Sequence, residues 1–572
     1  MPYVNFTPDG LISKAMFDFE YAGIQNYKFL DEIKVSVSDG FSNNDYYLGL
    51  VNSTDLTMNP YSNEIIWDTN TINNLNSTFS VLAQFANLPF SSVTNYDSRG
   101  GGLFSICSPA DVGIISDINI SFMNANSKLL LGMSSGSSDL LGYKGSRGDI
   151  FINVTGIAFE NEGVTFADFT KSRQILFHEI GHSLGLSHPF NDIGNVKPGY
   201  STLTTAGFEK LGFNTNNGNA LNKEYFSIMS YNDESLVPFI NAYTPMILDI
   251  IALESVYGKG LGTTGGSNDT IIAGDTGYRS YFDLGGTDLI DLSIYINGAY
   301  LHMGTSITSA SHHVGIITSL SDSENIFSGK DPSALRWLYG EYENAKGSDA
   351  PDLIIGNNLA NSIYGNAGND ILDGGAGDDK LDGGAGNDTI DAGTGIDNVT
   401  YSRSKTNYTI SKSGSTYTVT DKTGLEGTDT LTNIERLQFS DKTIALDIDG
   451  TAGQTYRVYK AAFNRTPDNG GLKYWIQQMD GGKKLSEVAS GFIASNEFKS
   501  LYGANPTSDQ FVAKLYNNVL GRAPDAGGFN YWVGLLNNKQ IDMTSTLVNF
   551  SESTENQAGV IGVIQNGIEL LN

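Results

Sequence analysis

The sequence predicts a multidomain chain with three architectures in succession. An α+β domain comes first, then an all-β parallel β-roll with a β-cap, then an all-α C-terminal domain. Three observations carry this. Residues 178–188 read His178-Glu179-Ile180-Gly181-His182-Ser183-Leu184-Gly185-Leu186-Ser187-His188, a helical pattern that stops at a glycine. Residues 347–400 repeat with a period of nine, and residues 451–572 hold two helical units 57 apart. At 572 residues the chain has room for roughly three or four domains.

Charge narrows the function classes. The chain carries 63 acids against 34 bases, a net charge of −29. That argues against nucleic-acid partners, which need a basic face, and suits a chain that collects cations. The lone Cys107 excludes an internal disulfide, so any staple must come from elsewhere, and metals are the obvious source. There is no run of 18 apolar residues, so no membrane span is expected. The first thirty residues show no basic segment followed by an apolar core, so no Sec-type signal is expected either.

Residues 1–30 are weakly patterned and are read as a leader or propeptide-like segment. Leu75, Phe79, Leu82, Ala83 and Ala86 recur at helical spacing and predict an amphipathic helix. Ile118, Ile120 and Phe122 alternate and predict a strand. Residues 167–185 form the next helix. On it His178 and His182 are four apart and share a face, a spacing that holds one zinc ion. Glu179 points to one side and can reach a water there without ligating the metal. Gly185 can take the torsion that ends the helix, and His188 can return as third ligand. Three protein ligands leave one position open, as a catalytic zinc site requires. Residues 191–223 are polar and rich in Gly and Asn and are read as a long loop over the cleft. Ser227-Ile228-Met229-Ser230-Tyr231 follows, then a helix from Pro245 to Leu253 with Asp249 as a buried hydrogen-bonding residue. Gly258–Gly266 reads as a hinge ending a domain that spans 31–260.

The eleven-residue stretch with its Gly185 and His188 resembles the zinc helix of metzincin metalloproteases. Met229 fits their Met-turn, and Tyr231 and Pro189 narrow the resemblance to the serralysin branch. The resemblance implies zinc on His178, His182 and His188, with Tyr231 as a labile fifth ligand and Met229 as an apolar floor. It implies Glu179 and Tyr231 as catalytic groups. It also implies that the strand at 118–123 lines the cleft edge, where an extended substrate pairs with it.

Residues 261–346 begin the calcium-binding part. Asp283-Leu284-Gly285-Gly286-Thr287-Asp288 resembles a serralysin calcium loop, which implies Asp283, Gly285, Gly286 and Asp288 as ligands. In 347–400 the clearest units start at Gly365, Gly374 and Gly383, each reading Gly-x-x-Gly-x-Asp, a residue, an aliphatic residue and Asp. The aliphatic position is Ile354, Ile363, Leu372, Leu381, Ile390 and Val399, one strand residue per unit facing a thin core. The span has ten aspartates, no glutamate and one lysine, so it needs cations. Calcium, with its many oxygen ligands, relieves the repulsion. The repeat resembles the RTX β-roll. Its candidate ligands are Asp352, Gly365, Gly368, Asp370, Gly374, Gly375, Gly377, Asp379, Gly383, Gly384, Gly386, Asp388 and Asp397. Chains of this kind leave the cell unfolded through type I secretion machinery and fold outside on calcium, which accounts for the missing signal peptide and disulfides.

Residues 401–450 alternate as the strands of a β-cap. In 451–572, Tyr459, Arg465, Pro467, Asp468, Gly471, Tyr474 and Trp475 match Tyr516, Arg522, Pro524, Asp525, Gly528, Tyr531 and Trp532. This resembles a helical repeat domain of unassigned function on exported bacterial proteins. Pro and Asp there start helices and Trp packs. A bacterial-surface or glycan partner is the alternative role for the tail. The sequence thus predicts a secreted, extracellular zinc endopeptidase acting on protein or peptide substrates, with one catalytic Zn²⁺ and several structural Ca²⁺. The alternatives are a surface-held processing protease of narrow specificity and a non-catalytic calcium-dependent surface or matrix protein. The intact Glu179 argues against the last.

Overall fold

The computed structural model describes residues 277–306 and 313–571 without a break, and 244–257, 259–264 and 266–272 just before them. Earlier it describes 3–5, 27–29, 35–38, 69–88, 118–123, 132–134, 149–153, 176–178, 180–181, 184, 186, 206–213, 223 and 226–230. The chain divides into two compact units, 1–344 and 345–572.

In the first unit the helix Thr69–Phe85 buries Leu75, Phe79 and Leu82 along one stripe, as the spacing predicts, and also Phe85, outside the expected set, while Ala83 is half-buried. Ala86 leaves the helix and bridges Lys259. The Leu261 and Gly262 N–H groups donate to the Ala83 and Gln84 carbonyls at 2.9 and 2.8 Å. The glycine-rich stretch expected to be a hinge is therefore pinned at this point. A side chain on Gly260 would fall on the Gln84 carbonyl, so glycine there serves close backbone approach.

A four-stranded sheet has the order Val35–Ser38, Ile118–Met123, Asp149–Asn153, Gly132–Ser134. The strand expected at the cleft edge is interior, because 118–123 pairs in parallel with neighbours on both sides. From Asn119 to Ser121 it is paired on both sides, so this stretch offers no free edge to a peptide. Among the described residues, Gly132–Ser134, antiparallel to 149–153, is an edge strand. Alternation in a sequence reveals a strand but not its neighbours.

The helix Ile247–Tyr257 buries Ile247, Leu248, Ile250, Ile251 and Leu253, an apolar surface all round that marks a core helix. The stretch read as a long polar loop carries a helical turn, Ala206–Glu209, and sends Phe208, Leu211 and Phe213 into the core. Phe208 and Phe213 pack on Phe226 and Trp337, with ring centroids 5.0–5.9 Å apart. Trp337 lies on Ala334–Tyr339, which pairs antiparallel with His313–Ser319 and parallel with Gly277–Phe282.

In the second unit each coil of the roll takes 18 residues, two repeats. Leu353–Asn357, Ile371–Gly375 and Thr389–Asp391 stack in parallel in one sheet. Ser362–Tyr364, Lys380–Asp382 and Asn398–Thr400 stack in the other. All six expected aliphatic residues are buried between the sheets. The hairpin Tyr408–Ser413/Thr416–Asp421 and the strands Thr428–Thr432, Arg436–Gln438 and Lys442–Ala445 extend these sheets.

Eight helices follow, in two sets of four at the expected 57-residue offset, from Thr451–Phe463 and Ser508–Val519 onward. The expectation of an all-α domain needs correction. The strand Ile568–Leu571 pairs antiparallel with Lys442–Ala445, because alternate residues Ile568 and Leu570 bury against Tyr456, Ile476 and Val560.

Candidate metal centres

Leu176, Phe177, His178, Ile180 and Gly181 are helical, and the four with larger side chains are buried. The Leu186 N–H donates to the Gly181 carbonyl at 2.9 Å, a five-residue span typical of helix ends. His178 Nδ1 lies 2.7 Å from the Ile228 carbonyl. A carbonyl only accepts, so Nδ1 carries the proton and Nε2 the lone pair. This is how protein scaffolds orient metal-ligating histidines. One residue on, Met229 is fully buried with its sulfur against Gly181, where a side chain would come within 2.9 Å of Sδ. Glu179, His182, Gly185, His188, Pro189 and Tyr231 lie outside the described residues.

The segment that supplies Ile228 and Met229 is itself fixed. Asp249 accepts from the Ser227 hydroxyl at 2.7 Å and from the Ile228 and Met246 N–H groups at 2.9 Å each. Ser227 Oγ in turn accepts from the Met229 N–H at 3.0 Å. Burial pushes the Asp249 carboxyl up to about 7 even with those three donors pulling it down.

The roll has a repeating electrostatic motif. The Oδ1 of each turn aspartate accepts the N–H of the residue one coil earlier: Asp370 from Asp352, Asp379 from Asn361, Asp388 from Asp370 and Asp397 from Asp379, at 2.8–2.9 Å. The other oxygen, Oδ2, of Asp370, Asp379, Asp388 and Asp397 is buried with no hydrogen-bond partner. Burial, then neighbouring carboxylates, pushes Asp370 up to about 8 and Asp397 up to about 6. A side chain on Gly365, Gly374 or Gly383 would fall on such an Oδ2, and on a main-chain carbonyl of the next coil at the first two. Gly368, Gly375, Gly377, Gly384 and Gly386 make the turns with positive φ. Asp352 differs, since Ser348 donates to it through both N–H and hydroxyl. Among the described residues no three His, Cys, Asp or Glu side chains converge. The donors are single carboxylate oxygens beside main-chain carbonyls, an all-oxygen set that suits calcium.

The loop at 283–288 has the same character. Asp288 is fully buried; its Oδ1 accepts the Asp269 N–H at 2.8 Å and its Oδ2 has no partner. Its carboxyl is pushed up to about 7, first by burial and then by Asp283 and Glu343. Asp283 Oδ2 accepts the Gly285 N–H, and Gly286 backs onto the Ser267 carbonyl. Glu343, which accepts the Asp288 N–H at 2.9 Å, was not foreseen. Nor were Asp429 and Glu435, each pushed up to about 7 by burial. They sit outside the regular repeat, and only the fold brings them beside it. His302 is buried, and its Nδ1 accepts the Gly304 N–H at 3.1 Å.

In the helical domain Asp468 and Asp525 cap helices by accepting from Gly471 and Gly528. Arg465 pairs with Glu497 at 2.7 Å and covers Tyr459, and Arg522 pairs with Glu555 at 2.6 Å and covers Tyr516. Trp475 packs on Phe492 and Trp532 on Phe550. The matched arginines, aspartates and tryptophans thus hold helices together, while Tyr474 and Tyr531 are exposed.

The roll, with its partnerless carboxylate oxygens, and the buried histidine held by a methionine-containing turn are the two candidate metal centres. The model of the RTX calcium-binding nonapeptide repeat matches residues 346–381 and 364–399. A domain of unknown function, DUF4214, matches 455–501 and 489–560. The metallopeptidase AprA of Pseudomonas marginalis is 30% identical over 207 residues, 33% of this chain and 38% of the relative. Serralysin of Photorhabdus luminescens is 30% identical over 238 residues, 37% and 41%. Serralysin C of Dickeya chrysanthemi is 33% identical over 201 residues, 32% and 36%. The chain spans about two fifths of the length of these curated relatives. It is a relative of the serralysin-type metalloproteases with RTX calcium-binding repeats and a C-terminal helical region. Among the described residues no helix is long and apolar enough to cross a membrane.

Proposed function

We propose that the chain is a secreted zinc-dependent endopeptidase, with a metzincin-like catalytic domain over about residues 31–260, folded and stabilised by calcium in its roll. The observation that carries the reading is the bond from His178 Nδ1 to the Ile228 carbonyl, beside Met229 packed on Gly181. It leaves the lone pair on Nε2, as a metal ligand would need, and joins the helix of His178 to the segment of Met229. Similarity to metalloproteases supports it.

His178, His182 and His188 would hold zinc, and the ion when bound supplies Lewis acidity to the scissile carbonyl and to an attacking water. Glu179 takes the proton of that water and passes it to the leaving amine. The Tyr231 phenol donates a hydrogen bond to the developing oxyanion. The Ile228 carbonyl holds the His178 ring in one tautomer throughout. In the roll and the 283–288 loop, the partnerless carboxylate oxygens and adjacent carbonyls would hold calcium. Export then runs through type I machinery, with folding outside, where calcium is available.

Casein cleavage in calcium by wild type and Glu179→Ala, with zinc measured on both, tests the reading. The variant should keep its zinc and lose activity about 10²–10⁴-fold. A folded, zinc-loaded wild type that cleaves nothing would sink it.

A further inference from the structure

The carboxylate ladder does not stop where the nine-residue repeat stops. The Asp388 N–H donates to Asp429 Oδ1 at 3.0 Å, and the Asp397 N–H to Glu435 Oε2 at 3.1 Å. These are the bonds of the inner coils, but their acceptors lie 41 and 38 residues on instead of 18. The surrounding backbone repeats too. Thr430 and Arg436 N–H donate to the Asp388 and Asp397 carbonyls, as Thr389 and Asn398 do to Asp370 and Asp379. Leu431 is in register with Ile390, and Leu437 with Val399, all buried. Gly427, at φ 70°, takes the place of Gly386 one coil on and backs onto its carbonyl. Asn433, at φ 51°, makes the matching turn on the other side. Gly427-Thr428-Asp429-Thr430-Leu431 and Asn433-Ile434-Glu435-Arg436-Leu437 are therefore one more coil. An inserted hairpin, Tyr408–Ser413/Thr416–Asp421, separates it from the repeat and hides it from the nine-residue period.

We propose that this coil binds two further calcium ions, one between Asp388 and Asp429 and one between Asp397 and Glu435. The proposal rests on the reading that the roll binds calcium. What points to a ligand is the pair Asp388 Oδ2 and Asp397 Oδ2. Both atoms are buried and without a partner, on residues 1% and 0% exposed. At Asp370 and Asp379 this oxygen lies by the glycine that meets a main-chain carbonyl of the following coil, and for Asp388 and Asp397 the following coil is the one closed by Asp429 and Glu435. A divalent cation satisfies an orphaned carboxylate oxygen and neutralises the carboxylate opposite.

Calcium stoichiometry of the full chain, by equilibrium dialysis, tests this. Wild type is compared with Asp429→Asn, Glu435→Gln and, as an inner-coil reference, Asp370→Asn. Each cap variant should bind one ion fewer than wild type. If Asp370→Asn loses calcium while both cap variants keep the full number, the extra coil is not a site and the inner roll stands. If wild type binds none, the reading of the roll fails and the proposal with it. Should the variants not fold, wild-type crystals grown in terbium give the answer by anomalous scattering. Peaks between both carboxylate pairs are expected, and peaks confined to the inner coils would overturn the proposal.

Discussion

Asp249 is wholly buried, yet it never touches the site it serves. Its carboxylate holds Ser227, Ile228 and Met246, and Ile228 in turn holds His178. Asp249→Ala would strand one hydroxyl and two N–H groups, at about 1–3 kcal/mol for each buried orphan. We expect a loss of at least about 3 kcal/mol in thermal unfolding and about 10–100-fold weaker zinc binding, the usual effect of removing a group that orients a ligand. A variant that melts like wild type and titrates zinc with wild-type affinity would show that the latch does not matter. The sequence singles out His178 because two ligands of one ion on one helix would recur at a fixed spacing. The acceptor that fixes His178 was not legible, because it is a main-chain carbonyl 50 residues away, and any residue type has one.

At the scale of elements, the nine-residue period revealed the buried aliphatic position of every unit but not the coil. Successive units enter opposite sheets, so the structure repeats every 18 residues while the sequence repeats every nine. The same limit explains the strand 118–123, visible from its alternation but misassigned to an edge. Stacking turns at this spacing leaves no room for a β-carbon at Gly386, whose φ is 147° and whose added side chain would fall on the Gly368 carbonyl. Gly414 has φ 64° with open space around it. Gly414→Ala should therefore cost only the left-handed backbone penalty, about 1–2 kcal/mol. Gly386→Ala must also push two coils apart. Circular dichroism during calcium titration should show Gly414→Ala folding near the wild-type calcium concentration and Gly386→Ala needing much more. Equal shifts would mean that the coil contact is not what glycine protects.

For the second unit as a whole, the final strand Ile568–Leu571 returns to the sheet and occupies the edge of Lys442–Ala445, with Glu569 paired to Lys442 at 2.8 Å. Ile568 and Leu570 are buried in the cluster with Tyr456, Ile476 and Val560, and Leu571 is 56% exposed. Nearby, the buried Arg436 ties the strand Arg436–Gln438 to Asp447 and Asp480, the latter in the helix Asn469–Asp480. The helical region and the sheet are thus one folded body held by a few residues. Removing all of 451–572 to ask whether the tail selects substrates would also open a sheet edge, and an open edge invites strand pairing between molecules. Deleting only residues 567–572 isolates that effect. The loss of two buried aliphatic side chains should cost about 3–6 kcal/mol, and light scattering should show association that wild type lacks. Leu571→Ala is the control and should stay within about 0.5 kcal/mol of wild type. If the deletion leaves both melting and molecular mass unchanged, the strand is ornamental. The tail could then be removed whole, and its effect on cleavage of cell-surface substrates read directly.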